Sequence, residues 1–228
     1  MDIQFYGGKK YRSLRLRIEA VDLLMAYKQV FSYEELSKKL DIHTSMLCRY
    51  SQGLTVPNEN NVKKIINVLL SKESVREFIY RCLGKYGWDL NKVLANHKIL
   101  NVVSLYASNT ILNNLAGSGL KLLIALPGTS ALVTSLIATK LGLPIALIPY
   151  ESTKSLGDIV EVRDDSYLRK GDYVAVIVDI LTVDNLEIIT DFLDKHELIL
   201  KCLIAILLVD RGLESEVGRI TLFDYLIP

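Results

Sequence analysis

Hydrophobic positions along this chain follow two different periods. Over residues 11–27, Leu14, Ile18, Val21, Leu24 and Met25 recur at helical spacing and predict an amphipathic helix with one buried stripe. Ser32 followed by Glu35 is a capping-box pattern, which predicts a second helix over 33–40 with Leu36 and Leu40 inward. Asp41-Ile42-His43 reads as a short turn, and Thr44 stands where it would cap a third helix running to about Tyr50. After Pro57, two further helical stripes follow: Val62, Ile65, Ile66, Leu69 and Leu70, then Val75, Phe78, Ile79 and Leu83.

Beyond LGKYGWD at 83–89, short apolar runs rich in β-branched residues alternate with helical stretches, the pattern of a parallel sheet with crossover helices. LLIAL (122–126), PIALIPY (144–150), YVAVIVDI (173–180) and part of LILKCLIAILLVDR (198–211) read as strands. SALVTSLIATKLG (130–142) and LEIITDFLDKH (186–196) read as helices. The expectation is an α/β chain in two parts: an all-α domain over 1–86, and a domain with a mainly parallel sheet over 87–228. In such sheets, ligands bind outside the carboxyl ends of the strands. Tyr80, Tyr86 and Trp88 stand at the junction and read as packing between domains rather than as a platform for bases.

Charge sharpens this division. The net charge is +1, yet residues 1–88 hold fifteen Lys/Arg against nine Asp/Glu, and residues 89–228 hold twelve against seventeen. A basic part joined to an acidic one points to a polyanion as partner for the first and another role for the second. Half of the residues are hydrophobic, enough for a core. Cys48, Cys82 and Cys202 are far apart, as are His43, His97 and His196, so neither a disulfide framework nor a metal site is expected, and a reducing cytoplasm fits. The long uncharged run 122–139 is broken by Pro127-Gly128 and reads as strand, loop and helix rather than as a membrane span.

The stretch SYEELSKKLDIHTSMLCRYSQGLTVPN (32–58) resembles the Cro/repressor type of helix-turn-helix, including the glycine and proline after the recognition helix, here Gly53 and Pro57. Small Ser37 lets the two helices approach, Ile42 and Leu47 plug the space between them, and Leu40 closes the bottom. Asp41 replaces the usual turn glycine, and Asp tolerates a left-handed backbone better than most residues. The resemblance implies that His43, Thr44, Ser45, Met46, Arg49 and Gln52 face a DNA major groove, with Arg49 the candidate for a guanine or phosphate contact.

In the second part, KGDYVAVIVDILTVDN (170–185) resembles the phosphoribosyl-pyrophosphate motif of type I phosphoribosyltransferases. ALPGTSALVTSLIATKLGLPIALI (125–148) resembles that family's pyrophosphate-loop strand, helix and next strand, and LLVDRG (207–212) a later strand and turn of its orotate branch. The fusion as a whole is similar to archaeal helix-turn-helix regulators with an orotate-phosphoribosyltransferase-like domain. In the catalytic family two acids bind ribose hydroxyls and the next loop wraps the 5-phosphate. Here Ile180 follows Asp179, so one acid is missing. Thr182 keeps or loses the place of a phosphate-binding threonine according to a one-residue gap, and Asp184-Asn185 replace a small glycine-containing segment. A carboxylate aimed into an anion nest repels phosphate. The stretch 151–169, at the place of the catalytic loop, offers Lys154 where orotate-type enzymes carry several cations. Gly128, Thr129 and Ser130 read equally as a small anion nest and as a tight turn capped by Thr129 or Ser130.

The sequence thus implies a transcriptional regulator that binds double-stranded DNA as a homodimer. Its second domain would be degenerate and non-catalytic, serving dimerisation and the sensing of a nucleotide or related metabolite. No catalytic residue, metal or cofactor is expected, and magnesium would enter only with a working phosphoribosyl-pyrophosphate site. The competing reading is an active phosphoribosyltransferase of nucleotide salvage with an accessory DNA-binding domain.

Overall fold

The computed structural model describes residues 9–148, 168–208 and 223–226. The chain separates into two compact units, Asp2–Tyr106 and Ala107–Pro228.

In the first unit, α1 (Lys9–Tyr27), α2 (Tyr33–Leu40), α3 (Thr44–Ser51), α4 (Glu59–Leu69), α5 (Lys72–Lys85) and α6 (Leu90–Ala95) precede α7 (His97–Leu115), inside which the chain passes to the second unit. Helix α1 packs on α3 and α4, and α2 packs on the same two helices. The core between them contains Leu36, Leu40, Ile42, Leu47, Val62, Ile65 and Leu69. Tyr27 stacks on Phe78 at 4.4 Å between ring centroids and donates its hydroxyl to the Leu69 carbonyl.

The stripe expected on α1 is buried only at Leu24. Leu14 and Ile18 are exposed, Val21 and Met25 are partly so, and Ala20, Leu23 and Tyr27 complete the core with Leu24. Both sets have helical spacing, so periodicity could not choose between them. Residues 90–115, for which the apolar pattern names no element, form α6 and α7. Every residue from Val102 to Ser108 is buried, and a helix buried all round shows no stripe.

The second unit carries β1 (Leu120–Ala125), α8 (Thr129–Leu141), β2 (Ile145–Leu147), β3 (Tyr173–Leu181), α9 (Val183–Lys195), β4 (Ile199–Leu208) and β5 (Phe223–Leu226). The sheet order is β2-β1-β3-β4-β5; the first four strands are parallel, and β5 joins the edge antiparallel. The fold class is therefore α/β with a four-stranded parallel sheet. Both faces of β1 and β3 are buried, which explains their unbroken apolar runs. On one face Leu122, Ile124, Val174, Val176 and Val178 share a core with Ile189 and Leu193 of α9, while α8 packs on β1, β2 and β3.

From β1 the chain moves through α8 to one side of the sheet, and from β3 through α9 to the other. The carboxyl ends of β1 and β3, paired at Ala125 and Ile177, are therefore the point where the strand order reverses. Open α/β sheets have their ligand crevice at such a point. The Lys170-Gly171-Asp172 lead-in stands at the opposite end of β3, where Gly171 N–H donates to the Glu197 carbonyl at 2.8 Å, Ile199 N–H donates to the Asp172 carbonyl at 2.9 Å, and Lys170 pairs with Glu197.

Candidate functional site

The side chains expected to form sites fall into two groups, one in each unit. In the first unit α2 opens with the expected capping box: Ser32 Oγ accepts from Glu35 N–H at 3.1 Å, and Glu35 Oε2 accepts from Ser32 N–H at 2.7 Å. The amide and the Arg81 guanidinium, 2.8 Å from Glu35 Oε1, hold the Glu35 carboxyl down at about 2. The helix ends at Asp41 in the left-handed conformation, φ 47° and ψ 49°. Lys64 from α4 clasps that strained residue, donating to its carboxylate at 2.7 Å and to its carbonyl at 3.1 Å, and thereby lowers the Asp41 pKa. The clasp joins residues 23 apart in sequence, and no local motif announces it.

Helix α3 follows after Ile42, whose side chain is buried with Leu47 between the helices. Its N-cap is His43, not Thr44: His43 Nδ1 accepts from Ser45 N–H at 3.3 Å, and Thr44 is the first helical residue. Histidine is an uncommon cap, so the hydroxyl beside it was the stronger sequence signal. The imidazole is also within 2.8 Å of Ser45 Oγ. His43, Ser45, Met46, Arg49 and Gln52 are exposed and Thr44 is half-buried, whereas Leu47 and Tyr50 fill the opposite face. The six residues singled out by sequence thus lie at the start and outer side of one helix. Tyr50 is fixed from behind by Asn61, whose amide donates to its hydroxyl at 2.9 Å, and Tyr33 and Ser51 hydroxyls meet at 2.6 Å.

In the second unit, Asp179 near the end of β3 faces the turn after β1. Thr129 Oγ1 donates to Asp179 Oδ2, Ser130 Oγ donates to Oδ1 at 2.8 Å, and Ile180 N–H donates to the same oxygen at 2.8 Å. Ser130 Oγ in turn accepts from Asp179 N–H at 2.9 Å, so the two residues are locked in both directions. Ser130 is fully buried. The tight turn is made possible by Gly128 at φ 97° and ψ −141°, a backbone conformation open to glycine and costly to other residues. Neither Thr129 nor Ser130 caps α8; both hydroxyls turn to Asp179 instead.

Between the end of β3 at Leu181 and the start of α9 at Val183 stands Thr182 alone. Thr182 is the N-cap of α9, its Oγ1 accepting from Asn185 N–H at 3.1 Å, and Asn185 Nδ2 returns a bond to the Ile180 carbonyl at 2.8 Å. The helix begins at Val183, three residues before the start expected from the apolar pattern, so Asp184 and Asn185 lie in its first turn. The Thr182-x-x-Asn185 spacing was itself a cap signal. Asp184 is exposed beside the positive end of the helix dipole, where a carboxylate is favoured and competes with any other anion. Lys154 lies outside the described residues.

The structure therefore brings Thr129, Ser130 and Asp179 together, with Gly128 in their turn, and puts Thr182, Asp184 and Asn185 at the start of the next helix. Among the described residues no three His, Cys, Asp or Glu side chains gather as metal ligands, and no helix is long and apolar enough to cross a membrane. Burial pushes the Cys82 thiol up to about 12, so it is not a nucleophile at neutral pH. Tyr80 and Trp88 are exposed and meet edge to face at 5.2 Å, while the Tyr86 hydroxyl accepts from Asn96 at 3.0 Å.

No protein-family model matches the chain, and no curated protein matches it. Among solved structures, it is similar to the adenine phosphoribosyltransferase of Leishmania tarentolae, at 15% identity over 57% of this chain and 70% of that one, with a TM-score of 0.40. It is similar to the UMP synthase of Leishmania donovani at 14% identity, over 69% of this chain and 36% of that one, with a TM-score of 0.44. The adenine phosphoribosyltransferase of Leishmania donovani matches at 14% identity, over 57% and 64%, with a TM-score of 0.39. The match thus spans little more than a third of the UMP synthase.

Proposed function

We propose that the protein is a DNA-binding transcriptional regulator in which α2 and α3 form a helix-turn-helix and α3 is the recognition helix. The observation that carries this reading is the pairing of a short, left-handed turn at Asp41 with an outward polar face on the next helix, in the half of the chain where basic residues are in excess. Arg49 lies on that face and is the residue for a bidentate guanine or a phosphate contact. A homodimer would present two such helices to half-sites about one DNA turn apart.

The second unit, in this reading, is a phosphoribosyltransferase-like domain that no longer catalyses. Phosphoryl and pyrophosphate chemistry depends on donors and cations aimed at the substrate. At the strand-order reversal the hydroxyls of Thr129 and Ser130 are spent on Asp179, and Thr182 and Asn185 are spent on the helix start. A carboxylate already accepting three hydrogen bonds is also a poor fit for ribose hydroxyls or a magnesium-bound diphosphate. Dimerisation and the sensing of a nucleotide-like metabolite are the roles this reading leaves to the domain.

The test is fluorescence anisotropy with labelled DNA from upstream of the protein's own gene, at several salt concentrations, with nucleotides and phosphoribosyl pyrophosphate added in turn. Specific binding that weakens steeply with salt is expected, and a response to one compound would identify the signal. Absence of binding to this and to other genomic DNA overturns the reading. Magnesium-dependent release of pyrophosphate in the presence of a base overturns the non-catalytic half of it.

A further inference from the structure

Helix α1 is apolar on two opposite faces, and the core uses one of them. Ala20, Leu23, Leu24 and Tyr27 are buried. Across the helix, Tyr11, Leu14, Ile18, Val21 and Met25 follow alternating steps of three and four residues, the spacing of a coiled-coil seam. Tyr11, Leu14 and Ile18 are each more than half exposed. No described side chain of α1 before Ala20 is buried, so the first half of the helix has little core of its own. An isolated helical stretch of that length is marginal in water unless its apolar face is covered.

We infer that this face is the contact between two copies of the chain, with their α1 helices laid antiparallel. The charges decide the direction. Lys9, Lys10, Arg12, Arg15 and Arg17 occupy the first half of α1, and Glu19 and Asp22 the second. A parallel pair sets the two basic halves against each other, whereas an antiparallel pair sets Arg15, which also pairs with Glu19 of its own helix at 3.2 Å, beside Asp22 of the second copy. Ile18, near the middle of the seam, then lies close to the two-fold axis, and one patch meets its own copy as a closed dimer requires. Two heptads are few for a free coiled coil, but here the second half of each helix is already ordered by its own core, so association has less conformational entropy to overcome. A shallow depression lined by Lys10, Ser13, Leu14, Arg17 and Glu59 adjoins the seam and adds one more carboxylate beside it.

This inference rests on the proposed function only for the dimeric state, so it is tested on the full chain with no DNA present. Sedimentation velocity over a concentration series should show a reversible dimer. Ile18→Glu should weaken it about a hundredfold by forcing a charge into the seam, with an unchanged circular dichroism spectrum because the residue is exposed in the single chain. Reversing Arg15 and Arg17 to Glu should weaken it roughly fivefold or more, and reversing Glu19 and Asp22 to Lys in the same chain should restore it. A dimer indifferent to Ile18→Glu overturns the α1 interface and leaves the homodimer standing; a wild-type chain that stays monomeric overturns both. Loss of association without rescue by the double charge reversal overturns the antiparallel direction.

Discussion

The two candidate sites share a plan and differ in where their polar groups point. Each has a tight turn that delivers the N-terminus of a helix: Asp41-Ile42-His43 before α3, and Pro127-Gly128 before α8. At α3 the residues that cap and hold the turn, His43 Nδ1 and Lys64, act behind or beside the helix, and the outer side chains Ser45, Met46, Arg49 and Gln52 are exposed. At α8 the hydroxyls that stand first on the helix, Thr129 and Ser130, are turned inward onto Asp179. A helix start can present its donors to a ligand or use them to stabilise its own domain. The exposure of the polar side chains, rather than the backbone plan, separates the two sites.

The comparison is open to four tests, in descending order of effect. Leu47→Ala removes the side chain that plugs the space between α2 and α3 and should cost about 2–5 kcal/mol, measured by urea unfolding. It should abolish DNA binding at temperatures where the first unit has melted, whereas the sheet should keep its own transition. Asp179→Ala leaves Thr129 and Ser130 without their acceptor and should destabilise the second unit by roughly 1–3 kcal/mol. If the carboxylate instead serves a ligand, unfolding would be unaltered and nucleotide or phosphate binding, followed by calorimetry, would change.

Arg49→Ala sharpens the contrast from the other side. It should weaken specific DNA binding by about 1–3 kcal/mol while moving stability by no more than roughly 0.5 kcal/mol, because the side chain is exposed. Unchanged affinity would place the reading surface elsewhere. The smallest effect concerns acid. The folded-state pKa of Glu35 is depressed from its ordinary 4.5 to about 2, so its contribution is fully present above pH 4.5 and is lost as pH falls toward 2. Hydrogen exchange at the start of α2 should accelerate through that window, and Glu35→Gln should remove the pH dependence there.

Much of this was legible in the chain. The capping box at Ser32 and Glu35, the left-handed turn at Asp41 and the plugs Ile42 and Leu47 are local chemistry, and local chemistry is written in short spacings. The buried strands β1, β3 and β4 announce themselves because a strand covered on both faces has no polar alternation. Local rules failed in three places. At His43 an unusual cap displaced the expected Thr44. At Thr182 the helix begins at its polar cap, three residues before the first position of the apolar pattern. Along α1 two apolar stripes overlap at Leu24, and packing against α3 and α4 buries the one that runs through Ala20, Leu23 and Tyr27.

What the sequence determined by itself, then, is the set of elements, the excess of positive charge in the first part, and the identity of the residues offered at each turn. Tertiary structure decided which of those residues stay exposed and which are drawn into contacts between elements. Asp179 lies fifty residues from Thr129 in the chain, and only the parallel pairing of β1 with β3 brings the carboxylate to the hydroxyls. Lys64 reaches Asp41 only because α4 packs on α2. A hydrogen bond depends on positions within a few tenths of an ångström, and sequence spacing sets such positions within one helix or turn but not between elements that meet only when the chain folds.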